Sequence, residues 1–385
     1  MNTISIIGTG ATPVGEHFGR SMADLATEAL RAALGSIDPA RIGALYVANA
    51  LGEALGAQGN LASAMADACG LVGIEATRIE AAGASGGAAL RQAMLSVAAG
   101  AHDLVVVLGI EKATDRLDAE VETALALATD GPSEADHGLT LTSQWALLMR
   151  RYMHEHGYAA EAFAPFAVNA HANGAKNPQA LYRFPISAEK FRVAGQIASP
   201  LNMLDCPSLA DGAAALIIAS ERLARELPGP RIRLAGSGLS SDTLALHSRR
   251  DPLLLAAAQR SAQAAMAQAG VSHAEINVLE LSDPHGIAAA LALEAIGFYE
   301  RGSAPRHAAD GAISPNGATP LATAGGYKAR GDIVGASGVY QIVELARQLR
   351  GEAGPTQVVG ARVALAQCLG GVGGIAVTHI LVADG

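Results

Sequence analysis

The stretch RIEAAGASGGAALRQA, residues 78–93, sets the expectation for the fold. It joins a short strand-like run, a turn of small residues and an apolar segment with helical spacing, so it predicts a strand, a tight turn and a helix. Such a turn directs backbone N–H groups at the helix start towards whatever lies above it, which suits an anion or an oxyanion. A turn that serves only close packing is the alternative interpretation.

A second glycine-rich turn lies in AQCLGGVGGIAV, residues 366–377. Adjacent glycines let the backbone approach a ligand closely. Because the two turns fall in corresponding places of two similar halves, we expect them to meet at one shared site.

Strands and helices alternate around both turns, which predicts an α/β protein. The first half runs from a strand at 4–8 to a buried strand at 103–110, and the second repeats this order from about 231 to 382. The Pro/Gly pair in LPGPRIRL, residues 227–234, marks the boundary. The predicted units are an N-terminal half at 1–226, with an inserted loop and helical region at about 112–205, and a C-terminal half at 227–385.

Composition excludes several classes of function. The net charge of −9 argues against nucleic-acid binding, and the apolar runs are too short to cross a membrane. The first residues lack the basic segment of a secretory signal, so we expect a cytoplasmic protein. Cys69, Cys206 and Cys368 lie far apart without C-x-x-C spacing, which predicts neither a disulfide framework nor a metal site.

Five further motifs, in the same order along the chain, resemble the thiolase superfamily and, within it, its archaeal and sterol-carrier-type branch. They are GIEKATD at 109–115, HANGAKNP at 171–178, DCPSLADGAAALI at 205–217, ELSDPHGIAAALALEAIGF at 280–298 and GGYKARGDIVGASGVYQIVE at 325–344. The resemblance implies two duplicated halves, each with a mixed five-stranded sheet, in αβαβα layers. It also implies a homodimer, a possible zinc-ribbon and OB-fold partner protein, and coenzyme A as part of the substrate rather than as a covalently bound cofactor.

This sequence departs from the family pattern where thiolases carry their chemistry. Gly83 falls where the nucleophilic cysteine is expected, and a glycine has no side chain to acylate. Ser282 and Asp332 fall at the two histidine positions, and a carboxylate there would repel an enolate unless it is protonated or acts as a base. Cys368 matches the C-x-G motif, and the backbone N–H groups of Gly83 and Gly370 remain as oxyanion donors.

Other polar residues in these motifs have two interpretations each. His285, next to a helix start, is either a replacement acid or base or a residue that fills the turn. Asp283 is interpreted as a helix cap, and Asp332 as either a cap or a catalytic group. Cys368 is either an acid and base or a buried packing residue.

Tyr327 and Tyr340 flank the same block of sequence. A phenol can protonate an enolate, as in the retro-aldol chemistry of cysteine-lacking thiolase relatives, but the tyrosines of those aldolases resemble replacements at the positions held here by Ser282 and Asp332. Tyr340 is therefore interpreted as a core residue. For the phosphates of coenzyme A, the inserted region offers the cations Lys176, Arg183, Lys190 and Arg192.

Three functions compete on this basis. The first is an enzyme that makes or breaks a carbon–carbon bond near a CoA thioester without a covalent acyl intermediate. The second is a catalytically degenerate homologue that binds acyl-CoA or serves as a structural subunit. The third is an ordinary acetyl-CoA acetyltransferase or a related condensing enzyme, against which Gly83 argues.

Overall fold

The computed structural model describes residues 3–227 and 231–384. The strands are β1 (Ile4–Ala11), β2 (Ala44–Ala48), β3 (Glu75–Ile79), β4 (Leu104–Glu111), β5 (Gln196–Ala198), β6 (Leu201–Asn202), β7 (Gly212–Ser220), β8 (Ile232–Ser241), β9 (Val278–Leu281), β10 (Val363–Gly370) and β11 (Ile375–Ala383). The α-helices are α1 (Met22–Leu34), α2 (Leu61–Ala68), α3 (Ser85–Ala98), α4 (Asp118–Ala126), α5 (Leu141–His156), α6 (Ala164–Gly174), α7 (Ala188–Val193), α8 (Glu221–Glu226), α9 (Ala256–Ala269), α10 (Gly286–Ile296), α11 (Ala304–Ala309) and α12 (Ser337–Arg350).

Nine strands form one sheet in the order β3-β2-β4-β7-β1-β8-β11-β10-β9. In the first half β2 runs parallel to β3 and β4, whereas β7 runs antiparallel to both β4 and β1. The second half repeats this pattern, with β10 parallel to β9 and β11 antiparallel to both β10 and β8. The halves join where β1 pairs with β8.

The predicted α/β class and the duplication are confirmed, with one difference in the strand count. Within residues 231–384, four strands belong to the sheet, and a single parallel bridge between Leu279 and Leu321 takes the place of a fifth. Of the predicted boundary segment at 227–234, residues 228–230 lie outside the described residues.

Helices α3 and α12 lie in the core that both halves of the sheet share. One apolar cluster contains residues of these two helices together with β1, β4, β7 and β10. A second cluster packs α1 and α2 on the first half, and a third packs α9 and α10 on the second. The result is five layers with the two helices at the centre.

The central helices cross at backbone contact. A Cβ atom on Gly86 would lie 2.6 Å from the Val339 nitrogen, and one on Gly338 would lie 2.8 Å from the Gly87 nitrogen. Only glycine allows so close an approach. This crossing places the N-terminal ends of both helices next to each other.

The inserted region contains α4 to α7 and the β5–β6 hairpin. Three asparagines spaced four residues apart, Asn169, Asn173 and Asn177, donate side-chain hydrogen bonds of 2.9 to 3.0 Å to the carbonyl groups of residues 321, 322 and 324. They tie α6 to the irregular segment that precedes α12. Among the described residues, no helix is both long and apolar enough to cross a membrane.

Candidate active site

The two glycine turns meet at one cavity. A Cβ atom on Gly83 would lie 2.7 Å from the Leu369 carbonyl oxygen, and one on Gly370 would lie 2.4 Å from the Ala81 carbonyl oxygen. Gly83, Leu369 and Gly371 all line a cavity of about 1300 Å³. The expectation that both glycine-rich turns meet at one shared site therefore agrees with the structure.

The turn before α3 has a counterpart before α12. Both carry the sequence GASG, at residues 83–86 and 335–338, and both place a non-glycine residue at positive φ, Ala82 at 50° and Val334 at 39°. In both, a serine side chain accepts a 2.9 Å hydrogen bond from the backbone N–H four residues earlier, from Ala81 to Ser85 and from Ile333 to Ser337. Such strained backbone persists only where its surroundings enforce it.

Each of these turns also carries a carboxylate that faces the cavity. Glu80 Oε1 accepts the Ala82 N–H at 2.6 Å, and Asp332 Oδ1 accepts the Val334 N–H at 2.9 Å. Both residues line the cavity. Two carboxylates in equivalent positions of the duplicated halves thus face one space.

Asp332 both caps its turn and faces the cavity. Ser337 Oγ also donates to Oδ1, at 2.9 Å, so both side-chain hydrogen bonds fall on one oxygen and the other is available to the cavity. Burial raises the pKa of Asp332, although hydrogen bonds from Ser337 and Val334 act in the opposite direction. A carboxylate with a raised pKa is a better proton acceptor than an ordinary aspartate.

Ser282 and Tyr327 form a hydroxyl pair on the cavity wall. Their oxygens are 2.9 Å apart, and the Leu369 N–H donates to Ser282 Oγ at 3.0 Å. One of the two hydroxyl groups donates its hydrogen to the other. Whichever group is the donor, the O–H hydrogen of the other group remains available to the cavity. Burial raises the pKa of Tyr327 well above 10, so the phenol stays protonated.

His285 also lines the cavity, as a neutral base. Its Nδ1 lies 3.0 Å from the Asp205 carbonyl oxygen, which can only accept, so Nδ1 carries the proton and Nε2 has the lone pair. Burial and the nearby Lys328 ammonium group lower the pKa of His285 to about 3. The imidazole is therefore uncharged at neutral pH.

The prediction that Asp283 caps α10 is wrong. The Gly286 N–H at the start of α10 donates instead to Asp205 Oδ1, at 2.7 Å, from a different segment of the chain. Asp283 Oδ1 accepts the Tyr327 N–H at 2.8 Å, and the Asp283 carbonyl oxygen accepts a 2.7 Å hydrogen bond from Lys328 Nζ. Asp283 thus holds the π-helical turn Gly326–Arg330, which carries Tyr327.

Cys368 and Gly370 do not lie on the cavity wall. The Cys368 side chain is fully buried, and its thiol donates to Gln341 Oε1 at 3.1 Å beside the crossing of α3 and α12. Burial raises the pKa of Cys368 to about 12. The alternation of side chains along β10 turns Cys368 inwards and leaves Leu369 to face the cavity, which corrects the expected acid and base role of Cys368.

The four cations expected to bind phosphate do not line the cavity either. Lys176, Arg183, Lys190 and Arg192 are all exposed. Arg183 is the nearest to the cavity in sequence, because its neighbours Tyr182 and Phe184 belong to the cavity wall. The cations that do reach the cavity are Lys328 and Arg78, which the sequence analysis did not select.

Several further residues line the cavity although the sequence analysis did not select them as site residues. They include Trp145, His171, Cys206, Tyr327 and Lys328. The signal that identifies most of them is membership of the three motifs at 171–178, 205–217 and 325–344. Tyr340 agrees with its interpretation as a core residue, because its hydroxyl donates to the Thr12 carbonyl oxygen at 3.1 Å and lies outside this cavity.

No group of three or more His, Cys, Asp or Glu side chains able to hold a metal ion occurs within residues 3–227 and 231–384. The cavity wall carries hydroxyl, carboxyl, imidazole and backbone N–H groups, together with the Cys206 thiol and the Lys328 ammonium group. These suit proton transfer and the stabilisation of an oxyanion.

Comparisons with known proteins relate this cavity to known chemistry. Residues 4–222 match the thiolase N-terminal domain, and residues 238–383 match the thiolase C-terminal domain-like family. The chain is 38% identical to the acetyl-CoA acetyltransferase of Methanothermobacter thermautotrophicus, over 99% of each chain. It is 31% identical to the steroid side-chain-cleaving aldolase of Thermomonospora curvata, over 89% of this chain and 90% of that protein. The solved structure of the Ltp2-ChsH2(DUF35) aldolase matches with a TM-score of 0.86 and 28% identity, covering 99% of this chain and 98% of that one.

Proposed function

The chain belongs to the thiolase family, and from this premise we propose that it makes or breaks a carbon–carbon bond beside a CoA thioester without an acyl-cysteine intermediate. The observation that carries the proposal is the cavity itself. Its nucleophile position is Gly83, whose Cβ site is closed by the Leu369 carbonyl oxygen, while Asp332 and the Ser282–Tyr327 pair face the same space.

In the cleavage direction the substrate is a 3-hydroxyacyl-CoA. Asp332 accepts the proton of the 3-hydroxyl group, the O–H electrons form a carbonyl, and the bond between C2 and C3 breaks. Its electron pair moves to the thioester as an enolate, which the remaining hydroxyl hydrogen of the Ser282–Tyr327 pair stabilises. The C2 carbon then takes up the proton that Asp332 accepted, directly or through water, which gives a shorter acyl-CoA and an aldehyde or ketone and returns Asp332 to its ionised form.

His285 has a supporting part in this scheme. Because its pKa is near 3, its imidazolium form is too unfavourable for it to be the main proton acceptor. Its Nε2 can accept a hydrogen bond but cannot donate one, so the neutral ring serves to position the ligand while Asp332 takes the hydroxyl proton.

The surroundings of the cavity mouth suit the rest of the ligand and a partner. Tyr182, Phe184, Ile197 and Met203 line the cavity and are 38 to 61% exposed, which makes an apolar rim. We propose that Arg183 contacts the phosphates of coenzyme A, and that a homodimer and a partner protein complete the assembly. The similarity to an aldolase solved together with a DUF35 protein supports the partner.

The test is a product analysis with panels of 3-hydroxyacyl-CoA and 3-ketoacyl-CoA thioesters, with and without free CoA. Carbon–carbon cleavage of a hydroxyacyl-CoA should give acyl-CoA and a carbonyl product without consuming free CoA. Asp332→Asn should reduce this rate by about 10²- to 10⁴-fold, whereas Asp310→Asn, on the exposed surface, should not change it. Cleavage that requires free CoA would contradict the proposal.

A degenerate, non-catalytic homologue is the second candidate. The two positions at which thiolases carry their cysteines favour it, because Gly83 has no side chain and the Cys368 thiol is buried away from the cavity wall. Tight CoA binding with no turnover on either panel, in the presence and absence of a DUF35 partner, would support this candidate. An acetyltransferase is the third, and robust thiolysis of acetoacetyl-CoA would support that one.

A further inference from the structure

An apolar wall begins directly beside Asp332. Val334 lies two residues after it and packs in one cluster with side chains from the loop after β2 and from α4. The members of this cluster that line the cavity are Ala50, Leu51, Val121, Ala124, Leu125, Leu209 and Val334. The space next to the proposed proton acceptor is therefore a pocket for apolar groups.

Helix α5 adds a second apolar surface. Leu141 and Trp145 line the same cavity, and the Trp145 ring is 6.4 Å from the His285 ring. The cavity of about 1300 Å³ is larger than the ~300–1,000 Å³ usual for small-molecule sites. A two-carbon acyl group would leave most of these apolar walls in contact with water, which is unfavourable.

The charged residues around this pocket are mainly acidic. Glu53, Glu80, Asp118 and Glu122 line the cavity, against two cations, Arg78 and Lys328. Lys328 Nζ is engaged at 2.7 Å with the Asp283 carbonyl oxygen and at 3.9 Å with Asp205 Oδ1. Arg78 is already engaged, because it lies 3.1 Å from Glu53 and donates to the carbonyl oxygens of residues 49 and 50. An acyl group that ends in a carboxylate would be repelled here.

We infer that the site takes a CoA thioester whose acyl group is bulky, uncharged and apolar, such as a ring or a branched chain, in preference to acetyl or dicarboxylic acyl groups. This inference rests on the proposed function only for the CoA thioester. It concerns binding, so it holds whether or not the bound thioester is cleaved.

The test uses unreactive thioethers and calorimetry on the full chain, with S-ethyl-CoA, S-(cyclohexylmethyl)-CoA and S-(3-carboxypropyl)-CoA. The cyclohexylmethyl compound should bind at least about tenfold more tightly than the ethyl compound, since each buried methylene adds favourable transfer free energy. The carboxypropyl compound should gain nothing over the ethyl compound. Equal binding of all three would overturn the inference while leaving the proposed function intact, and failure of every CoA derivative to bind would remove both.

Two variants make the test specific to this pocket. Ala124→Trp fills the wall on α4 and should abolish the advantage of the cyclohexylmethyl compound without weakening S-ethyl-CoA, whereas Thr123→Trp, on the exposed face of the same helix, should change neither. Glu122→Gln, which avoids overpacking, should strengthen binding of the carboxypropyl compound alone. An unchanged preference in Ala124→Trp together with no effect of Glu122→Gln would place the acyl group elsewhere.

Discussion

The phenolic oxygen of Tyr327 lies 2.9 Å from the hydroxyl oxygen of Ser282. Ser282 occupies a position where thiolases are expected to carry a histidine. A serine alone is shorter than a histidine and reaches less far into the cavity. The π-helical turn at 326–330 brings the tyrosine to it from a different part of the chain. The pair thus supplies a hydrogen-bond donor at this wall of the cavity.

Removing the phenolic hydroxyl should weaken catalysis more than folding. We expect Tyr327→Phe to reduce kcat by about 10²-fold, which is the usual effect of losing one oxyanion donor. Tyr340→Phe is the matched control, because that hydroxyl bonds to Thr12 outside the cavity, and its loss should cost only about 1 kcal/mol of unfolding free energy. Steady-state kinetics and urea unfolding of both variants check this. Equal kcat in Tyr327→Phe and the wild type would exclude the donor role.

Restoring a cysteine at the vacant position should not restore an acyl-enzyme. The Cβ atom of Gly83→Cys would lie 2.7 Å from the Leu369 carbonyl oxygen, whose own residue is held by the hydrogen bond to Ser282. We expect a loss of about 1–3 kcal/mol in unfolding free energy from overpacking, and the same loss in Gly83→Ala. Intact mass after incubation with acetyl-CoA should show no added acetyl group beyond the wild-type background. One acetyl group per chain in G83C alone would refute this account.

The pH dependence of turnover should have an acid limb only. Asp332 must be ionised to accept a proton, and its pKa is raised by burial, so kcat/KM should rise with pH through a value above 3.8 and then reach a plateau. Tyr327 stays protonated because its pKa lies well above 10, and His285 stays neutral because its pKa is about 3. The plateau should therefore extend to at least about pH 9. A second limb near pH 6.5 that disappears in His285→Gln would show that the imidazole titrates during turnover.

The buried ion pair behind the cavity should matter for stability. Arg330 Nη1 lies 3.4 Å from Glu344 Oε1, and the guanidinium group lies 5.4 Å from the centre of the Tyr327 ring. Arg330→Met leaves the carboxyl group of Glu344 buried without its partner and should lower the unfolding free energy by about 3–5 kcal/mol.

Adding Glu344→Gln should recover part of that loss, because it removes the unpaired charge. Arg301→Met is the control, since its pair with Asp251 is on the surface and such pairs contribute about 1 kcal/mol or less. Urea unfolding curves measure all three variants. If Arg330→Met were no worse than Arg301→Met, the buried pair would have no stabilising role.

Most of the regular elements could be predicted from the sequence. The strand, turn and helix predicted within residues 78–93 correspond to β3, the turn after it and α3, because the small-residue turn and the apolar spacing are clear. Helices α4 and α7 are only nine and six residues long, which is too short for a clear helical period to show in the sequence. The missing fifth strand of the second half depends on long-range packing around Leu321, which no local pattern encodes.

The site was only partly predictable, for a related reason. Family motifs locate Gly83, Ser282, His285 and Asp332, and all four line the cavity. The same motifs cannot show which way a strand residue points, so they left open whether Cys368 faces the cavity or the core. Nor can they show that Asp205, rather than Asp283, reaches the start of α10 from another segment.

The repeated GASG turn makes the two halves of the protein similar where they meet at the cavity. A reactive centre built from two copies of one unit needs some feature that distinguishes the copies. The two turns do not supply it, because they are nearly alike and each has a carboxylate three residues before its GASG sequence. An asymmetry comes from the hydroxyl pair of Ser282 and Tyr327 and from His285, which the second half contributes to the cavity wall. For the proposed reaction, these three groups give the cavity a direction that the two similar turns alone would not give it.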